Sequence, residues 1–219
     1  MFIDFHTHKK ENHHPVIINA MEGFEHIDKN KFYSAGIHPC RINGLNVEDQ
    51  LEELAKVMHD SNVVAIGECG LDTLCGIDIQ LQKSIFIKQI EWANEVNKPL
   101  IIHCVRAHDE LIYLLQKHKC KVPIMIHGFN NSYATAEKYI KLGYFLSFGA
   151  SIFKSRSAEV LRQIPIEQLL LETDDSDLDI EDIYKQASSI LEMSLLDLMT
   201  QIQKNGSTLL LNNSIPWKI

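Results

Sequence analysis

No Cys-x-x-Cys pair occurs in this chain of 219 residues, and its five cysteines are odd in number and scattered. That spacing argues against a disulfide framework and against a thiolate zinc site. No apolar stretch approaches the roughly 20 residues that a membrane helix requires. The opening Met1-Phe2-Ile3-Asp4 lacks the basic segment and small-residue cleavage site of a secretory leader, so the expected location is the cytoplasm. Positive charge is short as well: 21 Lys and Arg stand against 29 Asp and Glu, a formal net charge of −8. Sequence-independent binding of nucleic acid rests on cationic side chains neutralising phosphates. A chain this acidic must find that positive potential locally or in bound metals.

What the chain does have is a recurring pattern. Phe2-Ile3-Asp4-Phe5-His6-Thr7-His8 is an apolar run ending in two histidines two residues apart, which an extended strand places on one side. Leu100-Ile101-Ile102 ends on His103, Ile124-Met125-Ile126 on His127, and Leu169-Leu170-Leu171 on Glu172-Thr173-Asp174. Val63-Val64-Ala65-Ile66-Gly67 ends on Glu68. Any one of these is commonplace at a strand end. Recurrence changes the reading, because four His, one Glu and one Asp at the carboxyl ends of different strands are what a parallel barrel needs to build a site on its top face. A nitrogen and oxygen set without thiolate suits Zn, Mn, Fe or Ni better than a structural zinc cage.

Length and pattern agree with one domain spanning 1–219, since a single α/β barrel occupies roughly 200 to 250 residues. Strands are expected at 1–5, 16–20, 32–37, 63–67, 99–103, 122–127, 144–148 and 168–172. Helical spacing runs through Leu51, Leu54, Ala55 and Met58, through Phe86, Ile90 and Ala93, and through Leu111, Leu114 and Leu115. Ser132 is read as the cap of a helix running to Gly143, Leu161 lies in a short helix closed by Pro165, and 180–203 reads as helical with Ile183, Ala187 and Ile190 buried. The first two connections are too short for a full crossover helix. Something must then cover Val16, Ile17, Ile18 and Phe32, and the candidates are the tail with Leu209, Leu210, Leu211, Ile215 and Trp217, or a second copy of the chain.

In this order, His6-Thr7-His8, Gly36-Ile37-His38-Pro39, Gly67-Glu68-Cys69-Gly70-Leu71-Asp72, Pro99 to His103, His127-Gly128-Phe129, Leu142 to Gly149 and Leu170 to Asp174 resemble the TatD-like metal-dependent deoxyribonucleases of the amidohydrolase superfamily. The resemblance covers residues 1–8 and 32–203. It implies a TIM-barrel-like (β/α)8 metallohydrolase, shortened, with the first two crossover helices reduced or missing. It implies a hydrolase that cleaves phosphodiester bonds in DNA with a water activated by two divalent cations, of Zn, Mn, Mg, Ni or Fe. His6, His8 and Asp174 would hold one cation, His103 and His127 the second, and Glu68 would bridge them. Asp174 would also orient and deprotonate the attacking water, which a cation renders acidic enough to ionise near neutral pH.

Departures from the family touch the substrate side. A long segment usual between the His-x-His and Gly-x-His-Pro strands is missing, and Thr73-Leu74-Cys75 stands where aromatic residues and an arginine are usual. Arg106 lies three residues after His103, one later than is common, and Ser176 replaces a proline. Substrate contacts are assigned to His38, Asp72 and Arg106, with Lys154 and Arg156 as further candidates for gripping phosphate. His38 also reads as a loop histidine satisfied by backbone, and Asp72 as a support for Glu68. Asp4 is either an acceptor for a ligand imidazole or a structural hydrogen-bonding group, while His13 and His14 read as solvent residues and Cys69 and Cys104 as packing. Two other readings stay open: the same chemistry on a small phosphoester, lactone or amide, and a non-catalytic metal-binding scaffold. The expected partner is a nucleic acid or small phosphoester, with no membrane, and the chain is a monomer or a homodimer.

Overall fold

The computed structural model describes residues 1–20 and 27–211. In chain order the elements are β1 (Asp4–Thr7), β2 (Val16–Ala20), β3 (Phe32–Ala35), α1 (Val47–Val57), β4 (Val63–Asp72), α2 (Ile79–Val96), β5 (Leu100–Val105), α3 (His108–Lys117), β6 (Ile124–Ile126), α4 (Tyr133–Lys141), β7 (Phe145–Phe148), α5 (Ser155–Leu161), β8 (Leu169–Leu171), α6 (Ile180–Leu191) and α7 (Leu195–Leu209). The chain forms two compact units, Met1–Ile18 with Met125–Ile219, and Asn19–Ile124.

Within the first unit β1 pairs with β2, β6 with β7 and β7 with β8, all parallel, and a parallel bridge joins Thr7 to Asp174. Within the second, β3 pairs with β4 and β4 with β5, again parallel. Every one of these ladders joins strands consecutive in sequence, with a helix between most of them. That is the connectivity of the (β/α)8 class. The strands read as near-continuous apolar runs because parallel strands are covered on both faces; Ile17, Ile66, Ile101, Met125, Leu146 and Leu170 are fully buried.

Local chemistry sets the helix ends. Asp78 accepts hydrogen bonds from the Gln80 and Leu81 N–H groups to start α2, Ser132 accepts from Thr135 to start α4, and Asp179 accepts from Glu181 to start α6. Lys98-Pro99 follows α2 directly, after Asn97 in a left-handed conformation. The 180–203 stretch is two helices rather than one. Glu192 turns left-handed (φ 52°), and Ser194 then caps α7 through the Asp197 N–H, so the chain restarts in a new direction. The buried stripe of Ile183, Ala187 and Ile190 is where the spacing places it.

No helix occupies residues 8–15 between β1 and β2. Residues 27–31 before β3 form a turn, and 21–26 lie outside the described residues. β4 runs five residues beyond the expected Gly67, because its pairing with β5 continues to Asp72 opposite Val105. Val16, Ile17 and Ile18 are buried and Phe32 is half-buried. Leu209 and Leu210 are buried too, as the end of α7 rather than as a tail; Ile215 and Trp217 lie outside the described residues. α7 lies so close to β1 that a Cβ on Gly206 would strike the Phe5 ring, so only glycine fits there. Among the described residues no helix is long and apolar enough to cross a membrane.

Candidate metal centre

The first unit gathers His6, His8, His127 and Asp174. His6 lies in β1, one residue before its end at Thr7, and His8 directly follows the strand, while Asp174 lies just beyond β8. The two strand ends are stapled by backbone: the Asp174 N–H donates to His6 O at 2.9 Å and the His8 N–H to Asp174 O at 3.1 Å. Asp174 adopts the left-handed conformation, φ 55°, which short polar residues tolerate better than most. Its Oδ1 then stands 3.5 Å from His6 Nε2 and 3.2 Å from His8 Nε2. The His127 ring lies 4.4 Å, centroid to centroid, from that of His6. Ligand atoms of His6, His127 and Asp174 all fall within 4.8 Å of one another. Burial alone would raise the Asp174 carboxyl, but hydrogen bonds from His6 and His8 and the charge of His127 hold it far below the ordinary range.

Two buried carboxylates support this set. Asp4 accepts from the Thr173 hydroxyl at 2.6 Å and the Thr173 N–H at 3.0 Å, which fixes the segment leading into Asp174. Of the two roles open to Asp4, these bonds match the structural one. Burial lifts its pKa to about 7, aided by the neighbouring Glu172 charge and opposed by those hydrogen bonds. Glu172 is fully buried, accepts the Gly128 N–H at 2.5 Å, and stands 3.5 Å from His127 Nδ1. A carboxylate at the far nitrogen of a ligand imidazole fixes its ring and tautomer. Residue-by-residue reading left Glu172 out of the site, although pleat parity from Leu170 through Glu172 to Asp174 is a signal for it.

The second unit gathers His38, Glu68 and His103. Gly70 lies opposite His103 in the β4–β5 ladder, and a Cβ there would strike the His103 carbonyl oxygen. Glu68 Oε1 is 3.1 Å from His103 Nδ1 and 3.2 Å from His38 Nε2, while Oε2 accepts from Asn19 Nδ2 at 2.7 Å. Asn19 also accepts the Glu68 N–H, so backbone and side chain are held together. Sequence reading missed Asn19, a polar residue inside the apolar β2 whose role no local pattern reveals.

Asp72 reaches His103 rather than Glu68: its Oδ2 is 3.0 Å from His103 Nε2. Burial would raise the Asp72 carboxyl, but hydrogen bonds from His103, the Leu74 N–H and Cys40 hold it below its ordinary value. An ionised Asp72 accepts, so His103 carries its proton on Nε2 and turns the Nδ1 lone pair toward Glu68. Two acceptors facing at 3.1 Å need a cation or proton between them. His38 differs. Its Nδ1 accepts the Cys40 N–H at 3.1 Å, which leaves the proton on Nε2, donated to Glu68. It therefore positions Glu68 and is not a ligand in this arrangement.

The donor sets fit divalent cations. Two ligand atoms about 2.1 Å from a tetrahedral zinc lie about 3.4 Å apart, and the separations here are 3.1 to 3.5 Å. Arg106, Lys154 and Arg156 are exposed, Arg106 with left-handed backbone (φ 53°) just past β5. His14 pairs with Asp179 and Glu181 at the start of α6. Cys69 is fully buried, and Cys104 is half-buried.

Over 154 residues the chain is 32% identical to YjjV, an uncharacterized metal-dependent hydrolase of Escherichia coli K12, covering 67% of this chain and 59% of that protein. It is 32% identical over 147 residues to a 3'-5' ssDNA/RNA exonuclease, TatD, of Edwardsiella piscicida, covering 64% and 56%. The chain thus spans under two thirds of the length of these curated relatives. The crystal structure of the Escherichia coli YjjV protein, a TatD homolog, shares the fold, with a TM-score of 0.81 at 24% identity over 95% of this chain and 97% of that one. The sequence model of the family described as TatD related DNase matches residues 4–209, from β1 through both histidine–carboxylate sets to the end of α7, and the chain belongs to that family.

Proposed function

We propose that this protein is a divalent-metal-dependent hydrolase that cleaves phosphodiester bonds in nucleic acid. The observation that carries the reading is the pair of histidine–carboxylate sets with ligand-like separations of 3.1 to 3.5 Å. The Edwardsiella piscicida relative, named an exonuclease on single-stranded DNA and RNA, supports the choice of substrate.

Two cations, held by His6, His8, Glu68, His103, His127 and Asp174, would supply a water acidic enough to ionise near neutral pH and a fixed positive charge for the transition state. The chain's own residues do the rest. Asp174, ionised and aligned by the backbone staple to β1, orients the attacking water and takes its proton. Glu68 is kept in one rotamer by Asn19 and His38, and His103 by Asp72. Arg106 is assigned to phosphate, and Lys154 and Arg156 to the flanking strand. We also propose that 1–219 work as a single domain, since neither unit alone carries both sets, and that the protein is cytoplasmic, where its free thiols stay reduced.

The test is reconstitution with manganese, a hard cation that thiolates hold poorly, followed by elemental analysis and assays on single-stranded DNA, RNA, duplex DNA, phosphomonoesters, lactones and amides. Two manganese ions per chain and cleavage of single strands are expected. Turnover of a small ester or amide with intact DNA would replace the nuclease reading by the compact-substrate one. Absence of bound metal would refute both.

A further inference from the structure

Cys40, Asp72 and Cys75 belong to neither donor set, and the scatter of cysteines in the sequence argues against a thiolate site. The fold nevertheless brings these three together. Cys40 lies in the short 3-10 turn Pro39–Arg41 after β3, Asp72 is the last residue of β4, and Cys75 sits in the turn that follows. The two sulfurs and a carboxylate oxygen all fall within 4.8 Å of one another. Cys40 Sγ is 3.4 Å from Asp72 Oδ2. A sulfur about 2.3 Å and an oxygen about 2.0 Å from one tetrahedral zinc lie about 3.5 Å apart, so this spacing is that of two ligands.

The surrounding structure holds the three in place. Gln82 of α2 is fully buried; its Oε1 accepts the Asp72 N–H at 2.8 Å, and its Nε2 donates to Asp72 O at 2.9 Å and Ile77 O at 2.9 Å. The same amide group lies 3.6 Å from Cys75 Sγ, an N–H···S contact that would stabilise a thiolate. Asp72 Oδ1 accepts the Leu74 N–H at 2.7 Å, which tightens the turn and brings Cys75 back over the strand end. Both cysteines are half-buried, so an ion has a way in.

We infer that Cys40, Asp72 and Cys75 form a thiolate-containing site for one soft divalent cation of the zinc or cadmium kind, distinct from the nitrogen and oxygen sets. Binding displaces the two thiol protons to solvent and leaves a fourth position for water. Because Asp72 also meets His103, at 3.0 Å, an ion here is coupled to the ring orientation of His103. This does not depend on the hydrolase reading.

Cadmium titration of the fully reduced chain tests it, since only sulfur ligands give thiolate-to-cadmium charge-transfer absorption. One equivalent of that absorption is expected in the native chain and in Asp174→Asn, with at least a tenfold loss of affinity in Cys40→Ser and in Cys75→Ser. As a measurement independent of variants, cadmium should protect Cys40 and Cys75, but not Cys120, from alkylation read by mass spectrometry. No absorption at one equivalent, absorption unchanged in the Cys40→Ser/Cys75→Ser double variant, or undiminished alkylation of both thiols would each overturn the inference.

Discussion

Asp174 and Glu172 show how much single residues carry in the first set. The Asp174 carboxylate faces two imidazoles across 3.2 and 3.5 Å, so Asp174→Asn keeps the shape while removing the charge that balances a cation. Turnover should fall by about 100- to 10,000-fold, the range for removing a positioned proton acceptor. Unchanged circular dichroism would show that the fold survives, and full activity would end the assigned role. Glu172 acts one step back, through His127. Glu172→Gln preserves an acceptor for the Gly128 N–H but removes the charge beside Nδ1, and manganese affinity should drop by about 10- to 100-fold. A titration with unaltered affinity would limit Glu172 to packing. The candidate ligands were legible as residues because each ends an apolar run; Glu172 and Asn19 were not, because a supporting role depends on which side chain lies opposite.

At the scale of elements, the strand ends are where the apolar runs stop, and the caps are where Asp or Ser precedes a helical pattern. The break between α6 and α7 was also readable, in Ser194 with Asp197 three residues on, yet the apolar spacing continues across it and masks the boundary. The length of β4 was not readable. Gly67 and Gly70 look like the end of a strand, and only pairing with β5 keeps the chain extended to Asp72. The packing of α7 on β1 rests on one hydrogen atom at Gly206. Gly206→Ala forces the Phe5 ring or the helix to move, and should destabilise the protein by about 1 to 3 kcal/mol despite the better helix propensity of alanine. Denaturant unfolding measures this; an equal or higher midpoint would show that the packing there is soft.

For the whole molecule, a net charge of −8 opposes the long-range attraction of nucleic acid. On the proposed nuclease reading, phosphate binding would then depend on bound cations and a few side chains, and activity should be modest and salt-sensitive. Replacing Arg106, Lys154 and Arg156 together by alanine should raise KM for single-stranded DNA. It should also reduce the slope of log affinity against log salt by about 2, since each phosphate that a cationic side chain neutralises on a single strand adds roughly 0.7. An unchanged slope would return all three to the solvated surface.

The sequence by itself determined the class of the fold and the candidate residues of the site, because continuous apolar runs suited to buried parallel strands and the ionisable residues ending them are local facts. Tertiary structure decided who meets whom. The left-handed turn at Asp174, the reciprocal bonds of Asn19 and Glu68, and the convergence of Cys40, Asp72 and Cys75 each join residues from different elements. Their distances depend on strand register and turn conformation, and those are settled only when the ladders form and the helices pack.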